Sequence, residues 1–308
     1  MGKNILKPTR LYQNHTIDST RWDGFEPRDG DIIVTTSYKS GTTWTLGILY
    51  RLQQLCEGVE IPPMDSWIDA RMFPVSLEDQ LAELAARPCR RILKSHLAAD
   101  GMPLWPNVNY VVVGRDPRDV FMSLVNHYEQ FTDIAYAAFN ESPGRVGPPL
   151  PRYDGDIHAL WKTWINEGWF DWESEGAPWW GNMHHVKTWW ELRHEPNVTF
   201  LHFNDLKNDL RREAGRLASF AGFDVSEEQL DAVVKGSSID AMRKDAIDAG
   251  DPLAAFFKQG ASGFFFKGTN NRWRDLLTEE ELGWYEATRS KVLSDDAARW
   301  IESGGPVK

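Results

Sequence analysis

The sequence predicts a single α/β domain, residues 1–308, in which helices flank a central parallel sheet. Short apolar, β-branched runs alternate with segments of helical periodicity, as they do in βαβ units. Polar residues follow each run directly, as expected where parallel strands end at a binding crevice. Neither an internal repeat nor a shift in composition divides the 308 residues, of which 42% are hydrophobic.

Four runs of mainly apolar residues are predicted as strands: DIIVTT (31–36), RRILKSH (90–96), NYVVVG (109–114) and NVTFLHF (197–203). The polar residues at their carboxyl ends are Thr36-Ser37, Lys94-Ser95-His96, Arg115-Asp116 and Asn204-Asp205. Since the carboxyl ends of parallel strands share one edge of the sheet, we expect one site built from several loops.

The segments after the strands are predicted as helices. TTWTLGILYRLQQLCEG follows the first strand and carries apolar residues at helical spacing. After the third strand, Asp116 suits an N-cap and Pro117 suits the first helical position of RDPRDVFMSLVNHYEQF. NDLKNDLRREAGRLASFAG follows the fourth strand, and a capping box at Thr278 begins a closing helix. Segments 140–156 and 250–273, rich in glycine or proline, are predicted as mobile surface loops.

Composition excludes several classes of protein. The formal net charge of −11 argues against nucleic acid or an anionic membrane surface as the main partner. The start, MGKNILKPTR, lacks the apolar stretch of a signal peptide, and no run approaches the roughly 18 apolar residues of a membrane span. We therefore expect a soluble, cytoplasmic protein without membrane insertion. Cys56 and Cys89 fit neither a disulfide framework nor a zinc spacing and are expected to be buried free thiols.

The segment TTSYKSGTTWT (35–45) is predicted to hold an anion. A strand that runs through a hydroxyl-rich loop into a helix gathers free backbone N–H groups at the helix N-terminus. Here the amides of residues 40–43 would hold the anion, with Lys39 as a mobile cation. In the usual Mg²⁺-nucleotide loop the lysine follows the last glycine, whereas Lys39 precedes Gly41. A plain capped helix with a surface lysine is the alternative that the loop alone leaves open.

Four segments, in order, resemble those of the cytosolic-type sulfotransferases, which use 3′-phosphoadenosine 5′-phosphosulfate, and the chain is identified as a bacterial member. YKSGTTW resembles the 5′-phosphosulfate loop, usually Tyr-Pro-Lys-Ser-Gly-Thr-Thr-Trp. LKSHL resembles the segment of the catalytic histidine, and GRDPRDVFMSLVNHY resembles the 3′-phosphate segment. FFFKGTNNRWRDLLT resembles the C-terminal segment, usually Arg-Lys-Gly followed by a tryptophan. With WDGFEPRDGDIIVTT, the similarity spans about residues 20–285.

The resemblance implies a P-loop-like nucleotide-binding architecture and sulfuryl transfer to a hydroxyl of a small hydrophobic phenol or alcohol, without a metal. It implies His96 as the base and Lys39 as the group that stabilises the leaving phosphate, with Lys94 on the sulfuryl oxygens. Ser123 is implied as a 3′-phosphate ligand and as a partner that restrains Lys39. The residues implied for the cofactor are Lys39, Ser40, Gly41, Thr42, Thr43, Trp44, Arg115, Ser123, Phe203, Ser238, Phe266, Lys267 and Gly268.

Some positions depart from the family pattern. Tyr38 stands at the proline of the first loop, which we expect to be less rigid there. Ile239 stands where a phenylalanine often covers the adenine, which leaves Trp44 as the main stacking candidate. The short dimer motif of animal relatives is not matched, so the oligomeric state is open.

Phe266 stands at the arginine of Arg-Lys-Gly and removes one expected ligand of the 3′-phosphate. Arg272, or the backbone amides around Lys267 and Gly268, are the alternatives for that role.

Three rival functions are weighed against this one. A P-loop kinase would need Mg²⁺-ATP, against which the order of Lys39 and Gly41 argues. A non-catalytic nucleotide-binding or scaffold protein would be expected to lack Lys39 or His96, and both are present. A family member that uses sulfation to drive an elimination differs only in its product.

The tryptophan-rich segment 161–190 is either plain core or, in part, a wall against the acceptor.

Overall fold

Four parallel strands form the sheet in the computed structural model, which describes residues 6–62, 66–266 and 268–307. They are β1 (Ile32–Thr35), β2 (Ile92–Ser95), β3 (Asn109–Gly114) and β4 (Val198–His202), in the order β2-β1-β3-β4. All three pairings are parallel. β2 lies on one side of β1, and the later strands β3 and β4 lie on its other side, so the chain changes direction across the sheet at β1. Open α/β sheets leave a crevice for a ligand at such a point.

Helices cover both faces of the sheet, which explains why each strand carries apolar residues on both of its faces. Along β1, Ile33 packs into one apolar core and Ile32 and Val34 into the other, because successive side chains point to opposite faces. The larger core contains most of the tryptophans. The predicted fold class, a parallel sheet flanked by helices, is confirmed.

The α-helices are α1 (Thr42–Glu57), α2 (Leu77–Ala86), α3 (Pro117–Gln130), α4 (Asp133–Asn140), α5 (Ile157–Asn166), α6 (Asn182–Trp190), α7 (Phe203–Asn208), α8 (Leu210–Ala221), α9 (Glu227–Gly236), α10 (Ile239–Asp248), α11 (Gly260–Phe264), α12 (Glu279–Val292) and α13 (Asp295–Ser303). Short 3₁₀ helices span Ser19–Trp22, Ala99–Gly101 and Arg272–Asp275. None of these helices is long and apolar enough to cross a membrane. The cytoplasmic location stays a prediction.

The predicted helix starts are confirmed. Asp116 caps α3 by accepting a hydrogen bond from the amide of Arg118, and Pro117 is the first residue of the helix. Thr278 and Glu281 form both hydrogen bonds of the capping box at the start of α12. These bonds satisfy amides that a helix leaves without partners at its N-terminus.

Two expectations need correction. Segment 250–273 is more structured than a loop, because it contains α11 and part of a 3₁₀ helix and buries Phe257 against α3.

Cys56 and Cys89 are free, as expected, but each is only half-buried. Cys56 lies in the last turn of α1, where its thiol contacts a backbone carbonyl. The Cys56 side chain packs at the edge of the smaller core.

Candidate active site

The loop between β1 and α1 has the backbone form of an anion site. Lys39 (φ 53°) and Gly41 (φ 114°) both adopt left-handed conformations, so the chain turns sharply into α1. A side chain at Gly41 would be strained by this φ, and its Cβ would lie 3.3 Å from the ring of Phe203. The first amides of α1 have no partner within the helix and carry the positive end of its dipole.

Side chains hold this loop in place. The Tyr38 phenol accepts a hydrogen bond of 2.7 Å from Nε1 of Trp164, and the Tyr38 side chain is buried. The tyrosine thus anchors the loop where we expected less rigidity. The Ser40 hydroxyl donates to the Tyr38 carbonyl (3.1 Å), and the hydroxyls of Thr42 and Thr36 lie 2.7 Å apart. Thr43 is half-buried in the first turn of α1.

The Lys39 side chain contacts a histidine on α3. Its Nζ lies 2.8 Å from Nε2 and 3.0 Å from Nδ1 of His127, and 5.2 Å from the centre of the Phe264 ring. Burial, and then the positive charges of Arg115 and Lys94, lower the pKa of Lys39 well below its usual value. The resemblance implied Ser123 as the restraining partner. The structure instead brings the lysine to His127, one turn further along the same helix.

His96 follows β2 directly and is buried, 7% exposed. Its Nδ1 lies 2.9 Å from the Thr36 carbonyl oxygen. A carbonyl only accepts, so Nδ1 carries the proton and Nε2 is left with the free electron pair. Among the described residues, Nε2 has no hydrogen-bond partner. Burial and the charge of Lys94 lower the pKa of His96 well below 6.5, which keeps the ring neutral at neutral pH.

Two tryptophans form an aromatic wall beside His96. The Trp67 ring meets the His96 ring edge-to-face at 4.8 Å, and the Trp180 ring lies 5.9 Å away. Lys94 lies against the same wall, with its Nζ 4.4 Å from the centre of the Trp67 ring. Of the tryptophans in segment 161–190, Trp180 faces the site, whereas Trp161 and Trp189 are plain core with no exposure.

A buried carboxylate fixes the wall. Asp69 has no exposed surface and accepts hydrogen bonds from Nε1 of Trp67, from Nε1 of Trp22 (2.9 Å) and from the Ser95 hydroxyl (2.5 Å). Burial raises the pKa of Asp69, and the three side-chain bonds oppose that rise. The orientation of Trp67 beside His96 therefore depends on a buried carboxylate that also interacts with the His96 backbone.

Arg115, at the carboxyl end of β3, is a buried cation that keeps an unpaired N–H donor. Its Nη atoms donate to the Lys39 carbonyl (3.2 Å), the Thr269 carbonyl (3.3 Å) and Oδ1 of Asn270 (2.9 Å). Its guanidinium lies 4.0 Å from the centre of the Phe203 ring, and its buried Nε has no partner among the described residues. Burial lowers its pKa to about 10, so the group stays charged at neutral pH.

A second guanidinium lies close to the first. Arg272 donates to the Met122 carbonyl (2.8 Å), next to Ser123 on α3, and its guanidinium lies 5.2 Å from the centre of the Phe266 ring. Its Nε is also buried without a partner among the described residues. The charge of Arg272 further lowers the pKa of Arg115, so the two cations repel each other. Arg115 is buried and Arg272 is half-buried, and the charge of Asp119 acts on both. The two unpartnered Nε donors leave capacity to bind an anion beside them.

The other predicted cofactor residues cluster near α1 and α10. Trp44 and Phe203 pack edge-to-face at 5.5 Å. A Cβ at Gly268 would lie 2.4 Å from Cδ1 of Ile239, so the glycine permits a close approach of the two segments. Ser238 caps α10 through its hydroxyl, which accounts for this serine without a ligand. The prediction for Lys267 lies outside the described residues.

Several residues at the site escaped the sequence analysis. His127 lies four residues after Ser123, on the same side of α3, and this spacing is a signal that could have identified it. Thr36 was noted only as a polar strand end. Trp67 and Asn270 come from connecting segments, and no local pattern distinguishes them. Within the described residues, no group of three or more His, Cys, Asp or Glu side chains could hold a metal.

Comparison with known proteins shows the family to which the chain belongs. The model of the sulfotransferase domain family matches residues 29–295. The chain is 29% identical to a glycolipid sulfotransferase of Mycobacterium bovis, with 96% of this chain and 94% of the relative covered. It is 26% identical to sulfotransferase 1A1 of Rattus norvegicus, with 86% and 85% covered. Among solved structures, mouse sulfotransferase SULT7A1 complexed with PAP is similar, with a TM-score of 0.67, 19% identity and 92% of both chains covered.

Proposed function

Since the chain belongs to the sulfotransferase domain family and is a sulfotransferase with 3′-phosphoadenosine 5′-phosphosulfate as its donor, we propose that it sulfates a hydroxyl of a small, hydrophobic phenol or alcohol. The observation that carries the proposal is the pairing of a neutral His96, with a free Nε2, and an anion loop that contains Lys39. Both lie at the same edge of the sheet.

The loop is suited to hold the 5′-phosphosulfate of the donor. Free amides at the start of α1 point toward one place, where the helix dipole adds partial positive charge. Charge grows on the bridging oxygen as the sulfur–oxygen bond breaks, and the Lys39 ammonium can donate a proton or a hydrogen bond there. Lys94 supplies positive charge on the acceptor side for the sulfuryl oxygens.

His96 acts as the base in this proposal. The acceptor oxygen attacks sulfur in line with the leaving phosphate, and its proton passes to Nε2 of His96. The products are the sulfate ester and adenosine 3′,5′-bisphosphate. Because Nδ1 already donates to the Thr36 carbonyl, the ring is held in the tautomer that this transfer needs.

Arg115 and Arg272 are proposed as the two guanidiniums for the 3′-phosphate, with Ser123 beside them. Arg272 thus takes the place of the family arginine, whose position is Phe266. The support is that each guanidinium has a buried Nε without a partner among the described residues, and that Phe266 stacks on Arg272. Oδ1 of Asn270 would have to give up its hydrogen bond from Arg115 when the phosphate binds.

The acceptor is proposed to be apolar next to its hydroxyl. The rings of Trp67 and Trp180 beside His96 support this, and so does the likeness to a glycolipid sulfotransferase. The test incubates the purified protein with ³⁵S-labelled donor and a phenol, a sterol, a glycolipid or a free sugar. We expect label in the first three and little in the free sugar, and mass spectrometry distinguishes a stable ester from an elimination product. Transfer to the free sugar alone would overturn the acceptor class.

A further inference from the structure

The contact between Lys39 and His127 joins the anion loop to α3. The two residues lie 88 positions apart, and the lysine Nζ is within 3.0 Å of both ring nitrogens. Around the pair the structure places the rings of Phe131, Phe257 and Phe264, each with its centre within 6 Å of the His127 ring centre. Of these rings, that of Phe264 also lies against the ammonium, 5.2 Å from Nζ to the ring centre. The imidazole is the polar group that the structure places within hydrogen-bond distance of the ammonium.

The chemistry of the two groups decides which one donates. An ammonium has three N–H donors and no acceptor, so the imidazole must offer a free electron pair and must be neutral. The charges that act on the pair, besides their own, come from Lys94 on β2 and Arg115 after β3, and both are positive. Burial, then the charge of Lys39, then that of Lys94 lower the pKa of His127 well below 6.5.

We propose that His127 is a positioning residue for sulfuryl transfer: its neutral imidazole accepts a hydrogen bond from Lys39 and holds the charged ammonium at the anion loop. This inference rests on the proposed function of Lys39. A hydrogen bond to the charged form of a group favours that form, so His127 opposes the effect of burial on the lysine. His127 therefore keeps Lys39 protonated over a wider pH range.

The test compares His127→Phe, which removes the acceptor, with His127→Gln, which retains an acceptor oxygen. In His127→Phe we expect kcat to fall about tenfold or more. The alkaline limb of the kcat–pH profile, where Lys39 loses its proton, should move down by about one to two pH units, which corresponds to the free energy of one hydrogen bond to a charged group. The KM for the donor should change little, because the amide loop is intact. His127→Gln should recover kcat to within about threefold and restore the alkaline limb.

A double-mutant cycle asks whether His127 acts through the lysine. In the Lys39→Met background, His127→Phe should cause little further loss, whereas independent roles would give additive losses. An unchanged alkaline limb in His127→Phe would overturn the proposal. So would a His127→Gln variant that behaves like His127→Phe, since this would show that the ring matters only for packing.

A measurement without activity separates this inference from the function on which it rests. Protein with ¹³C-labelled histidine is titrated by NMR, and the His127 signal is identified by its loss in His127→Phe. In Lys39→Met we expect the pKa of His127 to rise, because a positive charge beside it is removed. An unchanged pKa would contradict the contact. A risen pKa in a protein that transfers no sulfate would leave the contact intact and refute the proposed function.

Discussion

The donor side and the acceptor side of the site are built in different ways. On the donor side, β1, the loop and α1 follow one another in the chain, and the backbone supplies the binding groups. On the acceptor side, the rings of Trp67, His96 and Trp180 come from three separate segments. His127, from a further segment, contacts Lys39 of the donor loop. The donor loop therefore depends on local conformation, whereas the acceptor side depends on how whole elements pack.

The two sides also differ in charge. Arg115 and Arg272 place positive charge on the donor side of a chain whose formal net charge is −11. On the acceptor side, burial keeps His96 and His127 neutral. The positive charge suits an anionic donor, and the neutral aromatic surroundings of His96 support the proposal of an uncharged acceptor. Each prediction below changes one side and asks whether the other is affected.

The largest effect is expected on the acceptor side. In His96→Ala, kcat should fall by about 10² to 10⁴, the range for loss of a general base, while donor affinity changes little. Steady-state kinetics and a donor-binding titration measure the two separately. His194→Ala, at an exposed histidine, is the matched control and should behave like the wild type. Loss of donor binding with kcat intact at saturation would place His96 on the donor side.

Lys39→Met is expected to lower kcat by about 10² to 10³, as for loss of one group that stabilises developing negative charge. The fold should be retained, because the side chain makes few packing contacts beyond Phe264 and His127. The exposed Lys162→Met serves as control. Unchanged turnover of the purified Lys39→Met protein would remove the lysine from the mechanism.

The 3′-phosphate pocket predicts a difference between two ligands. At the same concentration, adenosine 3′,5′-bisphosphate should raise the melting temperature far more than AMP, because its 3′-phosphate gives it a lower Kd. A ligand at about 100 times its Kd adds roughly 2.7 kcal/mol to the free energy of unfolding. Arg115→Ala and Arg272→Ala should each shrink this difference. Arg274→Ala, two residues from Arg272 and exposed, should not. Equal stabilisation of the wild type by both ligands would mean that this pocket is not formed.

The acid limb of kcat/KM should lie below pH 6.5. His96 has a lowered pKa, so its neutral, proton-accepting form persists as the pH falls through 6.5 and is lost only at lower pH. A pH profile between 4.5 and 8, in buffers of constant ionic strength, measures it. An acid limb at or above about pH 6.5 would be inconsistent with a buried, neutral base.

The smallest effect is expected from chelation. Sulfate transfer measured with and without EDTA should proceed at the same rate, because the proposed charges come from side chains and backbone amides. Full loss of activity that Mg²⁺ restores would favour the kinase-like alternative.

The donor side could be predicted in detail from the sequence. The order Lys39-Ser40-Gly41 after an apolar strand, and Asp116-Pro117 after another, specify a turn, a helix start and a free set of amides. These features depend on residues that are neighbours in the chain, because φ/ψ preferences and capping act over a few residues. For the same reason, the strands and the capping box at Thr278 were found close to where they lie.

The acceptor side was decided by the tertiary structure. Only folding brings His127 to Lys39 and orients Trp67 against His96 through the buried Asp69. On the donor side, folding also brings Arg272, which donates to the Met122 carbonyl and lies beside the Phe266 ring, close to Arg115. Such contacts join residues far apart in sequence, and their energies depend on burial and on the packing of several elements at once. The sequence by itself determined the fold and the donor loop. The packing of α3, of the segment that contains Trp67 and Asp69, and of the segment that contains Arg272 determined which side chains lie around Lys39, His96 and Arg115.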